Sequence, residues 1–183
     1  MAITHRIGGV LLALALTPMA AACTATPVPT PTVTLTQSPS PTATTLSPAD
    51  QDLANAKQAV VKLWAVVDRL TNNPKSSIQD LDDVAADATL TMFQQNLVKY
   101  RISEWKGSGA SVVEDLTATA RGVDAEGRST WTVTACIDGS KTTLVDANGK
   151  SVQGPPYRVR HKSTVVERSA AFFVADDVAV GTC

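Results

Sequence analysis

His161 is the residue of the carboxyl-terminal part whose chemistry is most versatile, because imidazole titrates near neutral pH and suits acid–base work. Alternation over residues 157–165 predicts a strand that places His161 among apolar neighbours. The basic side chains of Arg158, Arg160 and Lys162 then share the opposite face. Three residues are candidate partners by type alone: Asp138, Tyr100 and Tyr157. A lone histidine is more often a hydrogen-bonded core or rim residue, so both interpretations stay open.

Other patterns that carry chemistry are absent from the sequence. It has no nucleophile elbow, no glycine loop for phosphate and no cluster with metal-ligand spacing. Four aspartates lie close together: Asp80, Asp82, Asp83 and Asp87. They lack the glycine and the terminal glutamate of a calcium loop, and their spacing favours a solvated helix face. We therefore expect a protein that is not an enzyme and that uses no metal or other cofactor.

The amino-terminal segment, residues 1–22, ends in three alanines directly before Cys23. Arg6 precedes an apolar run over residues 7–16 that is too short to remain in a bilayer as a spanning helix, which predicts a cleaved export signal. The segment resembles a bacterial lipoprotein signal peptide, although Ala20 stands where these usually carry a larger apolar residue. The resemblance implies that Cys23 is lipidated. The alternative is a secreted protein in which Cys23 is a spare thiol.

Composition divides the rest of the chain into a tether and one domain. Residues 23–46 carry no charged side chain and are rich in Thr and Pro, which predicts a disordered tether. Residues 47–183 have the length of a single domain, and the formal net charge of the chain is only −1. A nucleic-acid binder would need a clear basic excess. We expect the domain to lie at the outer face of the cytoplasmic membrane, with the membrane and an envelope protein or apolar ligand as partners.

The odd number of cysteines bears on both the anchor and the domain. The chain has three cysteines, Cys23, Cys136 and Cys183, and an odd number in an exported protein needs an explanation. If Cys23 carries lipid, Cys136 and Cys183 remain to form a disulfide, which an oxidising compartment would maintain. The alternative for these two residues is a reactive or metal-binding thiol.

Hydrophobic periodicity predicts three helices followed by four strands. The helices begin at Ser47-Pro48, at Ser76 and before Leu90; the first stops at Asn72-Asn73-Pro74 and the third by Lys106-Gly107. The strands lie near residues 112–123, 130–137, 157–167 and 172–180, with turns at 124–127 and 146–149. Helices followed by an antiparallel meander predict an α+β domain with helices packed on one face of a curved sheet.

This order of elements resembles the nuclear-transport-factor-2-like (cystatin-like) fold, in which helices and sheet form a cone. Segments 131–152 and 170–183 further resemble small lipoproteins of actinobacteria and their phages. The shared features are a Cys-x-Asp at a strand end, a turn with Gly149 and a terminal cysteine. That family is largely without assigned activity, so the resemblance implies a fold and a location.

A cone implies a pocket, and four residues are candidates to line it: His161, Tyr157, Trp131 and Tyr100. The function expected from the resemblance is that of a lipid-anchored, non-enzymatic envelope protein that presents a binding or scaffold domain. Two alternatives stay open. One is a prophage-encoded surface lipoprotein that excludes a second phage, and the other is a small-ligand binder or enzyme that uses the cone pocket.

Overall fold

The computed structural model describes residues 46–155 and 157–183, without the side chains of Ala120 and Arg121. The predicted signal peptide, Cys23 and nearly all of the tether lie outside the described residues. The elements are α1 (Pro48–Asn72), a 3-10 helix (Ile78–Asp83), α2 (Asp87–Ile102), β1 (Lys106–Ser108), β2 (Val112–Val123), β3 (Ser129–Asp138), β4 (Thr143–Val145), β5 (Arg158–Arg168) and β6 (Ala171–Thr182). Helices pack against an antiparallel sheet, so the predicted α+β class is confirmed. None of the described helices is long and apolar enough to cross a membrane.

Helix α1 begins where its capping residues predict. Ser47 Oγ accepts a hydrogen bond from the backbone N–H of Asp50 at 3.2 Å, and Pro48 occupies the first turn. One face of the helix is buried against the sheet: Ala56, Ala59, Val60, Leu63 and Leu70. The apolar stripe thus places α1 across the sheet and makes it one wall of the domain.

The second helix differs from its prediction in type and in cap. It is a 3-10 helix of six residues, and Ser77, not Ser76, precedes it. The Ser77 hydroxyl donates to Gln79 and caps no backbone group, while the Ser76 carbonyl accepts from Arg101 at 2.7 Å. The i→i+3 bonding of a 3-10 helix is usual in segments this short. Leu81 is the one fully buried side chain of the segment. Asp87, predicted on this helix, begins α2.

The four predicted strands form one antiparallel sheet in the order β2-β3-β5-β6. A second sheet, not predicted, pairs the short strands β1 and β4. Strand β1 passes close to the end of α1, where a Cβ on Gly107 would lie 2.6 Å from Thr71 Cγ2. Only glycine permits that approach, so Gly107 lets the small sheet pack beside α1.

A β-bulge interrupts the pairing of β5 with β6. Val165 pairs with Val174 and Thr164 pairs with Asp176, so Ala175 is an extra residue on β6. One extra residue reverses which side chains face the helices. Beyond the bulge Ser163 therefore lies opposite Asp177, and both are buried.

The disulfide joins Cys136 of β3 to Cys183, the residue that follows β6, with a Cα–Cα distance of 5.9 Å. Strand β5 lies between β3 and β6 in the sheet. The bond therefore ties the carboxyl terminus to a strand that is not its neighbour, and it limits fraying of β6.

Candidate functional site: a cavity lined by an oriented histidine

A cavity of about 410 Å³ lies between α1, α2 and one end of the main sheet, beside the β1–β4 sheet. Its aromatic lining residues are Trp64, Phe93, Tyr100, Trp105 and Tyr157. Its aliphatic lining residues are Val67, Leu97, Ile137, Leu144, Val152 and Val159. The volume falls in the range of about 300–1,000 Å³ that is usual for sites of small ligands. The exposed surface of the wall is mainly apolar, which is also usual for such sites.

Three of the four predicted pocket residues, Tyr100, Tyr157 and His161, line this cavity. Trp131, predicted as the fourth, lies in the core instead. Its side chain is 1% exposed, and its ring centroid is 4.9 Å from that of Phe172. Trp131 pairs with Val165, whereas the cavity opens at the other end of the same strand, near Ile137. Trp131 therefore faces the predicted side of the sheet, but it lies at the end of β3 that is distant from the cavity.

The partner of His161 is Asp177, a residue that was not among the predicted partners. His161 Nδ1 lies 2.8 Å from Asp177 Oδ2, and the Ser163 hydroxyl donates to Asp177 Oδ1 at 2.6 Å. Asp138, one of the predicted partners, instead accepts from the backbone N–H of Ser140 and faces Arg158 at 3.6 Å. The two tyrosines line the cavity without a hydrogen bond to His161 among the described contacts.

Strand register brings these three side chains together. Ser163 lies directly opposite Asp177, and His161, paired with Ala179, is the diagonal neighbour of that aspartate. The bulge at Ala175 is what turns Asp177 toward the helices. The only sequence signal was a pair of aspartates inside an otherwise apolar strand, since such residues are rarely buried without a partner.

The arrangement orients the imidazole without creating a nucleophile. Both oxygens of Asp177 accept hydrogen bonds, so Nδ1 of His161 carries the hydrogen and Nε2 remains for the cavity. Ser163 is fully buried and donates to the aspartate, not to the histidine. A serine nucleophile needs its hydroxyl hydrogen-bonded to the histidine and open to substrate. The three residues therefore act as an oriented hydrogen-bonding group.

No family model matches the chain, and no curated protein is similar to it. Its fold is similar to the intermembrane space region of the chloroplast protein ARC6, with 13% identity, a TM-score of 0.55, and coverage of 72% of this chain and 98% of that one. At this identity the likeness shows the fold alone.

Two further structures are more distant. A periplasmic fragment of TraM has 12% identity and a TM-score of 0.41, and the match covers 75% of this chain and 100% of the TraM fragment. Aln2 from a Streptomyces species has 13% identity and a TM-score of 0.38, and the match covers 74% of this chain and 93% of Aln2. The cavity must therefore be interpreted from its own residues.

Asp68 is the acidic side chain in the cavity wall, on α1. Burial raises its pKa, and hydrogen bonds from Ser111 oppose that rise only in part. The backbone N–H and the hydroxyl of Ser111 donate to its two oxygens at 2.6 and 3.0 Å. Asp68 thus joins α1 to the start of β2 at the cost of burying a carboxylate.

We expect Asp68→Asn to gain stability relative to the wild type as pH rises. Because the folded pKa is raised, the native state holds the proton more tightly than the unfolded chain does. The wild type therefore loses stability as pH rises from the ordinary aspartate pKa through the raised one. Asparagine can keep a bond to Ser111 and has no charge to bury. Urea unfolding of both proteins across this pH window measures the difference, and Asp83→Asn on the exposed surface is the control. A constant difference at every pH would contradict the account.

The aspartates predicted to form a solvated face have several partners. Asp80 pairs with Arg69 at 2.7 Å, and Asp82 accepts from Gln94 at 3.3 Å. Asp87 binds Arg128 at 2.9 Å and Arg168 at 2.6 Å, which links the start of α2 to the turn before β3 and to the end of β5. Burial acts to raise the pKa of Asp87, but the two arginines outweigh it and hold that pKa below its usual value. Within the described residues, no three His, Cys, Asp or Glu side chains are placed to hold a metal ion.

Proposed function

We propose that the protein is a lipid-anchored envelope protein whose folded domain binds a small, largely apolar ligand. The observation that carries the proposal is the cavity of about 410 Å³ between the helices and the sheet end. Half of its lining residues are aromatic or aliphatic, and the exposed surface of the wall is mainly apolar. Among the polar lining residues, His161 is oriented by its contact with Asp177. A mainly apolar cavity with few convergent polar groups is the usual form of a small-molecule site.

The domain is, in this proposal, of the nuclear-transport-factor-2-like type. Helices packed on a bulged antiparallel sheet support this, and so does a cavity between the helices and one end of the sheet. Folds do not determine chemistry, so the binding role rests on the cavity and not on the fold type.

Binding is favoured over catalysis by the way the polar groups are used. Asp177 and Ser163 are buried and bonded to each other, which leaves one histidine nitrogen facing the cavity. General acid–base catalysis commonly uses a second group placed across the reacting atoms. Asp68 is held by Ser111, and its oxygens are engaged in that contact.

The sequence supports the proposed location. Lipid on Cys23 would hold the chain at the membrane, and the uncharged Thr/Pro tether could extend roughly 70 Å at about 3.1 Å per residue. The Cys136–Cys183 bond is suited to an oxidising compartment. The cavity would then take up a ligand outside the cytoplasmic membrane.

Native mass spectrometry of the full-length protein tests the binding role. We expect a bound small molecule that is released on unfolding, and its loss in Leu144→Trp, because the larger ring occupies cavity volume beside Leu144. Val123→Trp is the matched control, since Val123 is 72% exposed and lies away from the lining residues. Equal ligand content in both variants would contradict the proposal, and so would a wild type that neither carries nor takes up a small molecule.

A further inference from the structure

His161 is the polar side chain that the main sheet contributes to the described cavity lining, and Nε2 is its ring nitrogen without a described partner. The other ring nitrogen is engaged by Asp177 at 2.8 Å, and His161 is a lining residue whose side chain is 14% exposed. Among the described residues none hydrogen-bonds to Nε2. A ligand that fills the apolar cavity therefore meets one free hydrogen-bonding position on this wall.

The imidazole is held in one orientation before any ligand arrives. The Asp177 side chain is 1% exposed, and its second oxygen is held by Ser163. The rings of Trp64 and His161 pack in a T-shaped arrangement, with centroids 5.1 Å apart and planes at 82°. A preorganised partner loses little conformational freedom on binding, so a bond to Nε2 contributes to affinity and specificity.

The charges of the cavity wall restrict the ligand further. No Lys or Arg is found among the described lining residues, whereas Asp68 lines the cavity and Asp177 lies directly behind His161. An anionic ligand would be taken out of water without a permanent cation to pair with it, which is costly. A cation would find Asp68 already bonded twice to Ser111. The wall favours a neutral molecule.

We propose that the ligand is a neutral, largely apolar ring compound with a hydroxyl group that hydrogen-bonds to His161 Nε2. Nε2 accepts when the imidazole is neutral and donates when it is protonated, and a hydroxyl group can serve both states. The aromatic residues supply flat apolar contact for the rings. This inference rests on the proposed function and names the ligand class of the same cavity.

Four probes of one shape and different polarity test the inference on the full-length protein. They are naphthol, methylnaphthalene, naphthoate and naphthylmethylammonium, each titrated by calorimetry. We expect naphthol to bind about 10-fold more tightly than methylnaphthalene, the usual effect of one hydrogen bond. We expect the two ions to bind more weakly than naphthol. Equal affinity of naphthol and methylnaphthalene, or tighter binding of either ion, would overturn the inference.

Two variants assign the preference to His161. His161→Phe keeps a ring of similar size and should bind methylnaphthalene as the wild type does, while the preference for naphthol disappears. His161→Gln retains a polar group and should recover part of that preference. A naphthol preference that survives in His161→Phe would show that another residue provides the bond. The wild-type ranking stands by itself if either variant is unstable.

The outcomes separate the two proposals. Binding of methylnaphthalene without a preference for naphthol refutes the hydroxyl subsite and leaves the apolar cavity function in place. If no probe binds and the purified protein carries no small molecule, both proposals are wrong. If naphthol binds best and Leu144→Trp abolishes that binding, both are supported at the same site.

Discussion

Removing the disulfide between Cys136 and Cys183 is expected to lower the free energy of unfolding by about 4 kcal/mol. The two cysteines are 47 residues apart, and the bond limits the conformations of the unfolded chain over that loop. The double variant Cys136→Ala/Cys183→Ala is the suitable form, because a single replacement leaves one free thiol. Urea unfolding of the oxidised wild type and the double variant measures the change.

The location of the destabilisation is also specified. The bond holds the end of β6, so backbone amides of residues 178–182 should exchange with solvent faster in the double variant. Amides in the middle of α1 serve as the reference, since they should change only through global unfolding. Wild type unfolded under reducing conditions should match the variant. A loss below about 1 kcal/mol, or uniform exchange changes, would contradict a role in restraining this strand.

The elements that the sequence predicted well are those set by local rules. Ser47 and Pro48 cap and start α1 because a hydroxyl acceptor and a fixed φ act within one turn. Strand β2 spans residues 112–123 as predicted, because its turn at Asp124 stops the period-two pattern. Such signals depend on neighbours in the chain, so the sequence carries them directly.

The partner of His161 could not be predicted because a bulge decides it. Without the extra residue at Ala175, alternation would put Val174, Asp176 and Val178 on one face and Asp177 on the other. The bulge reverses this pattern and turns Asp177 toward His161. No turn residue or glycine marks the bulge in the sequence. The contact between His161 and Asp177 depends on the register of β5 with β6, and the residue pattern of a single strand does not reveal that register.

The position of Trp131 shows a second limit. Alternation assigned it correctly to the face that the helices cover, but it gives no depth along the strand. Ile137 lies six positions after Trp131, which is roughly 20 Å of strand at about 3.3 Å per residue. Trp131 is buried in the core, whereas Ile137 lines the cavity. The separation of helix and sheet is a tertiary property that side-chain type does not encode.

We expect Cys23→Ser to move nearly all of the protein from the membrane fraction to the medium. The described domain has no helix that could cross a bilayer, and the tether has no apolar run after the predicted cleavage site. Each buried CH₂ of an acyl chain contributes about 0.8 kcal/mol to membrane attachment, and stable anchoring takes more than one chain. A lipoprotein modification supplies several chains on one residue, and serine in place of Cys23 removes that attachment.

Fractionation with domain controls distinguishes this anchor from attachment by the folded part. Cys136→Ala/Cys183→Ala should remain in the membrane fraction, because those sulfurs are bonded to each other and carry no lipid. Intact mass should reveal an acyl modification on the wild type and none on the released Cys23→Ser protein. Retention of Cys23→Ser in the membrane would mean that the domain or a partner holds the protein there, and the lipid anchor would be wrong. Ligand binding should be equal in the wild type and Cys23→Ser, since the lining residues that the structure describes all belong to the domain.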